Sequence, residues 1–373
     1  MNIELREVQT NDQLNQFVNF PFTLYKNNPH WIPPIKGMEL FLLDKKRNPA
    51  FDHSDALLML AFRENKVVGR IACIINHLEL EKLQEKHARF GWLDFIDDVK
   101  ICSALFTAIE KWAREKGMET LKGPYGFTNL DKAGMLVEGF DSTGTVATLY
   151  NYDYYPRHMQ KLGFEKEVDW VEVDMVAPQK VPERLQRFVN SFQERYGLKV
   201  LPVRSRKELK KYGRELFDLL VDTYKDLHGF VPLTESQIEV YMKQYLPFIR
   251  KDFVCIVLNQ EEEMIGFGIT MPSLSKAMKR AGGKLFPFGI FHLLFARTFN
   301  DTLDLVLIGV KSEWRNKGVN ALIFNEIETS FIRAGIKRIL VNPMLENNAQ
   351  VLTLWKDYKY NVYKRRRAFT KKL

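Results

Sequence analysis

Three blocks of this sequence occur twice, in the same order, and that internal repeat restricts the fold more than any other feature. Leu57 to Ile75, LLMLAFRENKVVGRIACII, matches Asp252 to Thr270, DFVCIVLNQEEEMIGFGIT. Each reads as a strand, a polar turn and a second strand with Gly69 or Gly266 near its start, which is a β-hairpin pattern. SALFTAIEKWAREKGMETLKGP then matches NALIFNEIETSFIRAGIKRILVNP. Both are a helix closed by Gly117 or Gly335, followed by a short strand ending at Pro124 or Pro343. Last, RHMQKLGFEKEVDWVEVDM parallels LTLWKDYKYNVYKRRRAF, a helix and a final strand. Helix stops and hairpin glycines are common, but chance does not keep three blocks in one order. The pattern predicts an α/β fold of two tandem domains, each a mixed β-sheet flanked by helices. A chain of 373 residues is long for one hydrophobic core and suits that division. Pro178 and Pro182 in APQKVPERL break the pattern, so the domains are expected at 1–177 and 178–373.

The copies differ at one junction. In the second, the aliphatic run LDLVLIGV leads through Arg315, Lys317 and a bare Gly318 into the helix pattern NALIFNEIETSFIRAG. A helix start offers unpaired N–H groups and a positive dipole end, and a glycine lets the backbone approach a phosphate closely. Many strand–loop–helix junctions carry one glycine and a surface cation and bind nothing, so the contrast matters more than the loop. Where the second copy has WRNKGVNALIF, the first has DFIDDVKICSAL. Asp97 and Asp98 suit a helix start, cap it, and repel a pyrophosphate.

The net charge of +9 fits an anionic partner, whether cofactor phosphate, acidic lipid or nucleic acid. Cys73, Cys102 and Cys255 lie in apolar runs and read as core residues of a reducing compartment. No Cys/His cluster has metal-ligand spacing, so no metal is expected. The N-terminal MNIELREVQTND lacks a signal-peptide pattern, and the longest apolar stretch, Leu285 to Phe295, is too short to span a bilayer. A soluble cytoplasmic protein is expected.

At Arg315, Asn316, Lys317, Gly318, Val319 and Asn320 the second copy resembles the GCN5-related N-acetyltransferase (GNAT) superfamily. That pattern has Arg or Gln, two residues, Gly, one residue, then Gly or Ala, so Asn320 departs at its last position. Asn348 and Trp355 match the family's later helix, while Lys359-Tyr360 stand where it has Gly-Phe; the first copy keeps that pair as Gly163-Phe164. The resemblance spans nearly the whole chain. It implies acyl-coenzyme A (acetyl-CoA or a longer acyl-CoA) as co-substrate in the second copy only. The pantetheine arm would run along the strand at Ile308 and Val310, with the pyrophosphate on N–H groups from Arg315 to Ala321. The stretch from Asp131 to Phe164 is similar to bacterial tandem acetyltransferase-like proteins, and bacterial ceramide synthases are suspected relatives. An N-acyltransferase acting on a primary amine, with a lipid-like amine among the options, is the expected activity. The rival is a CoA-binding protein without chemistry, because Trp355 stands where the family's acid is a tyrosine.

Amide formation from a thioester needs a base for the amine and stabilisation of the leaving thiolate. Glu346 follows the strand after the helix, with Asn342 and Tyr358 nearby; its alternative is a solvated loop carboxylate. In the first copy Glu138 and Asp141 bracket a Gly-Phe pair, and Tyr150, Tyr152, Tyr154 and Tyr155 cluster after it. These residues would recognise the amine, or else form a core edge. His158 and His228 read as surface or core residues. The segment Ser273 to Phe299 is basic, then strongly apolar. It is either a buried helix under the sheet or a surface element that meets an acyl chain or a membrane peripherally through Leu285–Phe295. The tail YKRRRAFTKKL reads as a solvated edge strand, and no nucleic acid is expected from charge alone.

Overall fold

The repeated hairpins form the two long antiparallel pairs around which everything else is arranged. The computed structural model describes residues 2–201, 203, 205–245, 249–347 and 358–373. In chain order the first half comprises β1 (Glu4–Glu7), α1 (Asn11–Leu24), α2 (Lys36–Leu42), β2 (Ser54–Arg63), β3 (Lys66–Asn76), α3 (His77–Leu83), β4 (His87–Phe95), α4 (Val99–Glu115), β5 (Thr120–Gly123), β6 (Met135–Glu138), α5 (Tyr154–Lys161) and β7 (Glu165–Val176). The second comprises α6 (Glu183–Tyr196), β8 (Lys199–Leu201), α7 (Arg206–Tyr224), α8 (Glu235–Tyr245), β9 (Val254–Leu258), β10 (Met264–Pro272), α9 (Ser275–Ala281), α10 (Gly289–Thr298), β11 (Thr302–Val310), α11 (Val319–Arg333), β12 (Arg338–Leu345) and β13 (Tyr360–Lys372).

The hairpin glycines explain the repeat physically. A Cβ on Gly69 would lie 2.9 Å from Leu105 and 3.0 Å from Ile101 of α4. One on Gly266 would lie 2.6 Å from Val319 and 3.3 Å from Ile323 of α11. Glycine thus lets each helix press onto its hairpin, and the apolar residues four apart on each helix are buried there. Ile101 corresponds to Val319 and Leu105 to Ile323. Each buried aliphatic side chain contributes roughly 1.5–3 kcal/mol to this packing. The helix in each copy is a crossover between parallel neighbours, β4 with β5 and β11 with β12.

The last strands are exchanged between the halves. The sheet order is β1-β2-β3-β4-β5-β13-β7-β12-β11-β10-β9-β8, with β6 also pairing β13. β13, from the end of the chain, inserts between β5 and β7 of the first half. β7 in turn pairs β12 of the second. The sequence division at 177/178 falls just past the end of β7, yet the two mixed sheets are fused edge to edge. Helices cover both faces.

This topology corrects the expectation for the tail. YKRRRAFTKKL is not a solvated edge but an inner strand, with Lys364 and Arg366 each 1% exposed. Its charges are tolerated because carboxylates of the other strands and of α4 meet them. Arg366 Nε donates to Glu172 at 2.6 Å, Arg367 grips Asp169 with bonds of 2.8 and 2.9 Å, and Lys371 reaches Glu110 at 2.7 Å. A buried ion pair adds little net stability, but losing one partner costs about 3–5 kcal/mol.

Candidate active site

β11 and β12 run together for only four residue pairs, from Thr302 with Arg338 to Leu305 with Val341. Beyond that point β11 continues to Val310 and β12 to Leu345 without pairing each other, so the strands fork. The fork has a local cause on each side. The register of β10 against β11 slips between Ile269, opposite Leu307, and Thr270, opposite Leu305. The register of β12 against β7 slips between Val341 and Met344. Such bulges bend a strand and free backbone groups that must find other partners. The Ile308 carbonyl accepts a hydrogen bond from the Tyr224 hydroxyl at 3.1 Å.

The first half forks at the equivalent place, after Arg89 and Lys122, but its own side chains fill the gap. Phe95, the counterpart of Val310, accepts at its carbonyl from the Tyr154 hydroxyl at 2.5 Å. Its N–H donates to the Tyr155 hydroxyl at 3.1 Å. The Tyr125 N–H donates to the Phe90 carbonyl at 2.8 Å. One fork is closed by protein.

The loops above the forks differ in the same sense. Nine positions separate Val310 from Val319, against six between Phe95 and Ile101. In the longer loop a short 3₁₀ turn (Ser312–Trp314) leads to exposed Arg315, Asn316 and Lys317, and Asn316 has φ 62°. Gly318, the N-cap of α11, has φ 77°, and a Cβ on it would lie 2.5 Å from the Phe192 ring. Only glycine meets both conditions without strain. Among the described residues no side chain caps this helix, and its first turn carries no acid. α4 is the opposite: Asp98 accepts from the Lys100 N–H at 2.8 Å and pairs with Arg63 at 2.5 Å. Among the described residues the second copy's helix start, preceded by two exposed cations, has no side-chain acceptor for its first amides, whereas the first copy satisfies one with a carboxylate.

Below the fork, on the face away from α11, lies a buried polar seam between the halves. Leu303 and Leu305 point into the core under α11, so Asp304 points the other way. It is 1% exposed, and neither carboxyl oxygen has a hydrogen-bond partner in good geometry among the described residues. Burial pushes its carboxyl up to about 7; the nearby Ser273 hydroxyl opposes the rise and Glu172 adds to it. Glu172, fully buried, is held by Arg366 and by the Tyr363 hydroxyl at 3.2 Å. Lys364 donates to the Gly139 carbonyl at 2.6 Å, and burial, helped by Arg366, lowers its ammonium to about 8. Asn342, the first residue of β12 beyond its pairing with β11, accepts from the Thr145 hydroxyl of the first half at 2.9 Å. The first half's loop at 139–150 is thereby fixed against the fork of the second.

Comparison with known proteins finds the same tandem architecture. A tandem GNAT protein from the clavulanic acid biosynthesis pathway aligns with 100% of this chain and 98% of its own, with a TM-score of 0.56 at 12% identity. The chain has the tandem GNAT fold. In sequence it is 27% identical over 376 residues to the bacterial ceramide synthase of Caulobacter vibrioides, covering 98% of this chain and 96% of that protein. It is 26% identical over 380 residues to protein YghO of Escherichia coli K12, covering 99% and 95%. No family model matches.

The GNAT-like positions expected to hold the cofactor come together in part. Ile308 and Val310 lie on the open arm of β11, and Arg315, Asn316, Lys317, Gly318, Val319, Asn320 and Ala321 form the loop and helix start that follow it. Val319 itself turns into the core. Asn348 and Trp355 lie outside the described residues. Tyr358 donates its hydroxyl to Glu328 on α11.

The expected catalytic residues have other duties. Glu346 and Glu138 do meet, but across Arg365, which lies 2.5 Å from Glu346 and 3.3 Å from Glu138. Glu346 also pairs with Lys166, so both its oxygens face cations rather than a free amine. Tyr154 and Tyr155 belong to the core of the first half, where Tyr155 also bonds Tyr25 at 2.8 Å and approaches Asp94 at 3.3 Å. Burial pushes both phenols up. They close the first fork, a structural task that differs from the amine recognition expected of them. His158 is a core residue bonded to Asp97 at 2.7 Å, and His228 meets Tyr125 at 2.9 Å. Sequence reasoning missed Asp304, although a lone carboxylate inside TLDLVLIGV is the signal that could have revealed it.

Proposed function

We propose that this protein is an acyl-CoA-dependent N-acyltransferase whose second half holds the acyl donor and whose seam receives a primary amine. One contrast carries the reading: one fork is filled and its helix capped by Asp98, while the other is flanked by an uncapped helix and a basic loop. The backbone of Ile308 and Val310 would hold the pantetheine as an added strand does, with Tyr224 yielding the Ile308 carbonyl. The amides from Asn316 to Ala321, with Arg315 and Lys317, would hold the pyrophosphate. Acyl-CoA supplies an activated acyl thioester. The chain supplies the rest.

Asp304 is the group best suited to take a proton from the amine. It sits beside the fork, has no well-aligned partner to give up among the described residues, and its carboxyl is raised to about 7, near the value a base needs at neutral pH. Its ionised form and Glu172 would attract a cationic amine that the basic surface repels. Thr145 and Asn342 would position the acceptor where the halves meet. A lipid-like amine fits best, because bulky apolar side chains stand exposed next to the acceptor loop. The test is release of free thiol from acetyl-CoA and palmitoyl-CoA with a panel of soluble and long-chain primary amines. Amine-dependent release, greater with long-chain acceptors, supports the reading. Absence of release with every amine, in protein that binds CoA, returns it to a CoA-binding protein without chemistry.

A further inference from the structure

The segment from Ser273 to Phe299 is not a buried helix under the sheet. α9 and α10 pack together as a short unit whose inner side is small, with Leu274, Ala277 and Leu293 buried against Val146 of the first half's loop. The outer side is apolar and uncovered. Phe286, Phe288, Phe291, Phe295 and Phe299 are between 61% and 76% exposed, and Leu294 is half exposed. From the N-cap to the C-cap of α10, Phe288, Phe291, Phe295 and Phe299 recur at spacings of three and four, so they share one stripe. A monomer seldom exposes so many large apolar groups together without a partner.

The charge around the stripe identifies the partner. Residues 273–299 contain five Lys or Arg and no Asp or Glu. Lys276, Arg280 and Lys284 are exposed, while Lys279 anchors the unit by donating to the Pro29 carbonyl. A second copy of this chain would bring these cations face to face across a twofold axis, with no acid in the segment to offset them. An apolar face bordered by cations fits an anionic bilayer surface, in which aromatic side chains enter the headgroup region and cations meet lipid phosphates. Among the described residues no helix is long and apolar enough to cross a membrane, so contact would be peripheral.

We infer that the α9–α10 unit is a docking surface for an anionic lipid bilayer. Its position gives the contact a purpose. The Ser275 hydroxyl donates to the Gly144 carbonyl at 3.1 Å, and Thr145, the next residue, binds Asn342 at the fork. The bilayer surface and the candidate acceptor site are joined through one short loop. That an acceptor amine enters from the lipid rests on the acyl-transfer reading; the docking does not.

The test is flotation of the full chain, without acyl-CoA, with vesicles of phosphatidylcholine alone and of phosphatidylcholine containing roughly one-third phosphatidylglycerol. The wild type should float with the anionic vesicles and at least tenfold less with the neutral ones. Phe288→Ser with Phe291→Ser should lower partitioning about tenfold or more, with an unchanged melting temperature because both rings are exposed. Lys276→Gln, Arg280→Gln and Lys284→Gln together should remove the preference for anionic vesicles. Thiol release with a soluble amine and no vesicles should be unchanged in every variant, so the docking and the chemistry fail separately. A wild type that floats with neither vesicle overturns the inference. So does equal partitioning of the Phe variant, or a dimer in sedimentation that the Phe variant dissolves while vesicle binding is absent.

Discussion

Replacing Gly318 by Asp turns the second copy's helix start into the first's. The new carboxylate would stand at the helix N-cap, the role Asp98 has on α4, and set a negative charge against the first amides of α11. It would repel the pyrophosphate that the proposed site holds on these amides. Hydrogen bonds to a charged group contribute roughly 1.5–3 kcal/mol each, so losing two weakens CoA binding by about a hundredfold or more. The substitution also has a steric cost. With φ 77° and the Phe192 ring 2.5 Å from a new Cβ, the loop gains about 1–2 kcal/mol of strain and Phe192 must turn. Gly318→Asn carries the same shape and the same strain without the charge, so the pair separates the two effects. Calorimetry with CoA should find Gly318→Asn weakened about tenfold and Gly318→Asp without measurable binding, both folded by circular dichroism. Wild-type affinity in folded Gly318→Asp would refute the placement of the pyrophosphate on this loop.

Three further outcomes follow from the same geometry. Titration of the whole chain with CoA should give one site, and two equivalent sites would show that the first fork opens after all. The rate of acyl transfer should rise with pH through about 7 as Asp304 ionises, and Asp304→Asn should lower kcat by roughly a hundredfold and lose that inflection. The sign for stability is opposite. A carboxyl raised in the folded state holds its proton longer than the unfolded chain does, so Asp304 makes stability fall between pH 4 and 7, and Asp304→Asn should be the more stable protein above pH 7, by about 1–3 kcal/mol. Tyr155→Phe leaves the Phe95 N–H and the buried Tyr25 hydroxyl each short of a partner, so the melting temperature should fall by several degrees, reflecting about 1–3 kcal/mol. CoA affinity should stay at the wild-type value, and a large loss there would return Tyr155 to the binding site.

The repeat is readable because hairpin glycines and helix apolar positions are local signals. Gly69 and Gly266 have the same steric cause, the helix lying on the hairpin, so matching them in sequence locates α4 and α11 together. The loop contrast is equally local, since Asp98 and Gly318 are each the N-cap of their helix. Pairing at a distance is not readable in this way. β13 carries a polar, basic pattern suited to a solvated edge, and only its partners Glu172, Asp169 and Glu110 make it an inner strand. Local propensity cannot reveal an exchange in which each half lends its last strand to the other. The same limit applies to the site. Glu346 looks free in sequence because Lys166 and Arg365 lie 180 and 19 residues away, and the lack of a well-aligned partner for Asp304 among the described residues exists only in three dimensions. The exposed phenylalanines illustrate the converse. Their spacing fits a buried helix as well as a surface one, and tertiary packing decides between them.

The most direct measurement is a crystal structure of the chain grown with CoA. If the second fork holds the acyl donor, the crystal will contain one CoA per chain, with its pantetheine between the open arms of β11 and β12. Its pyrophosphate will lie on the amides of residues 316–321, and its sulfur on the side of the fork nearest Asp304 and Asn342. CoA bound at the first fork, or away from both, would contradict that placement.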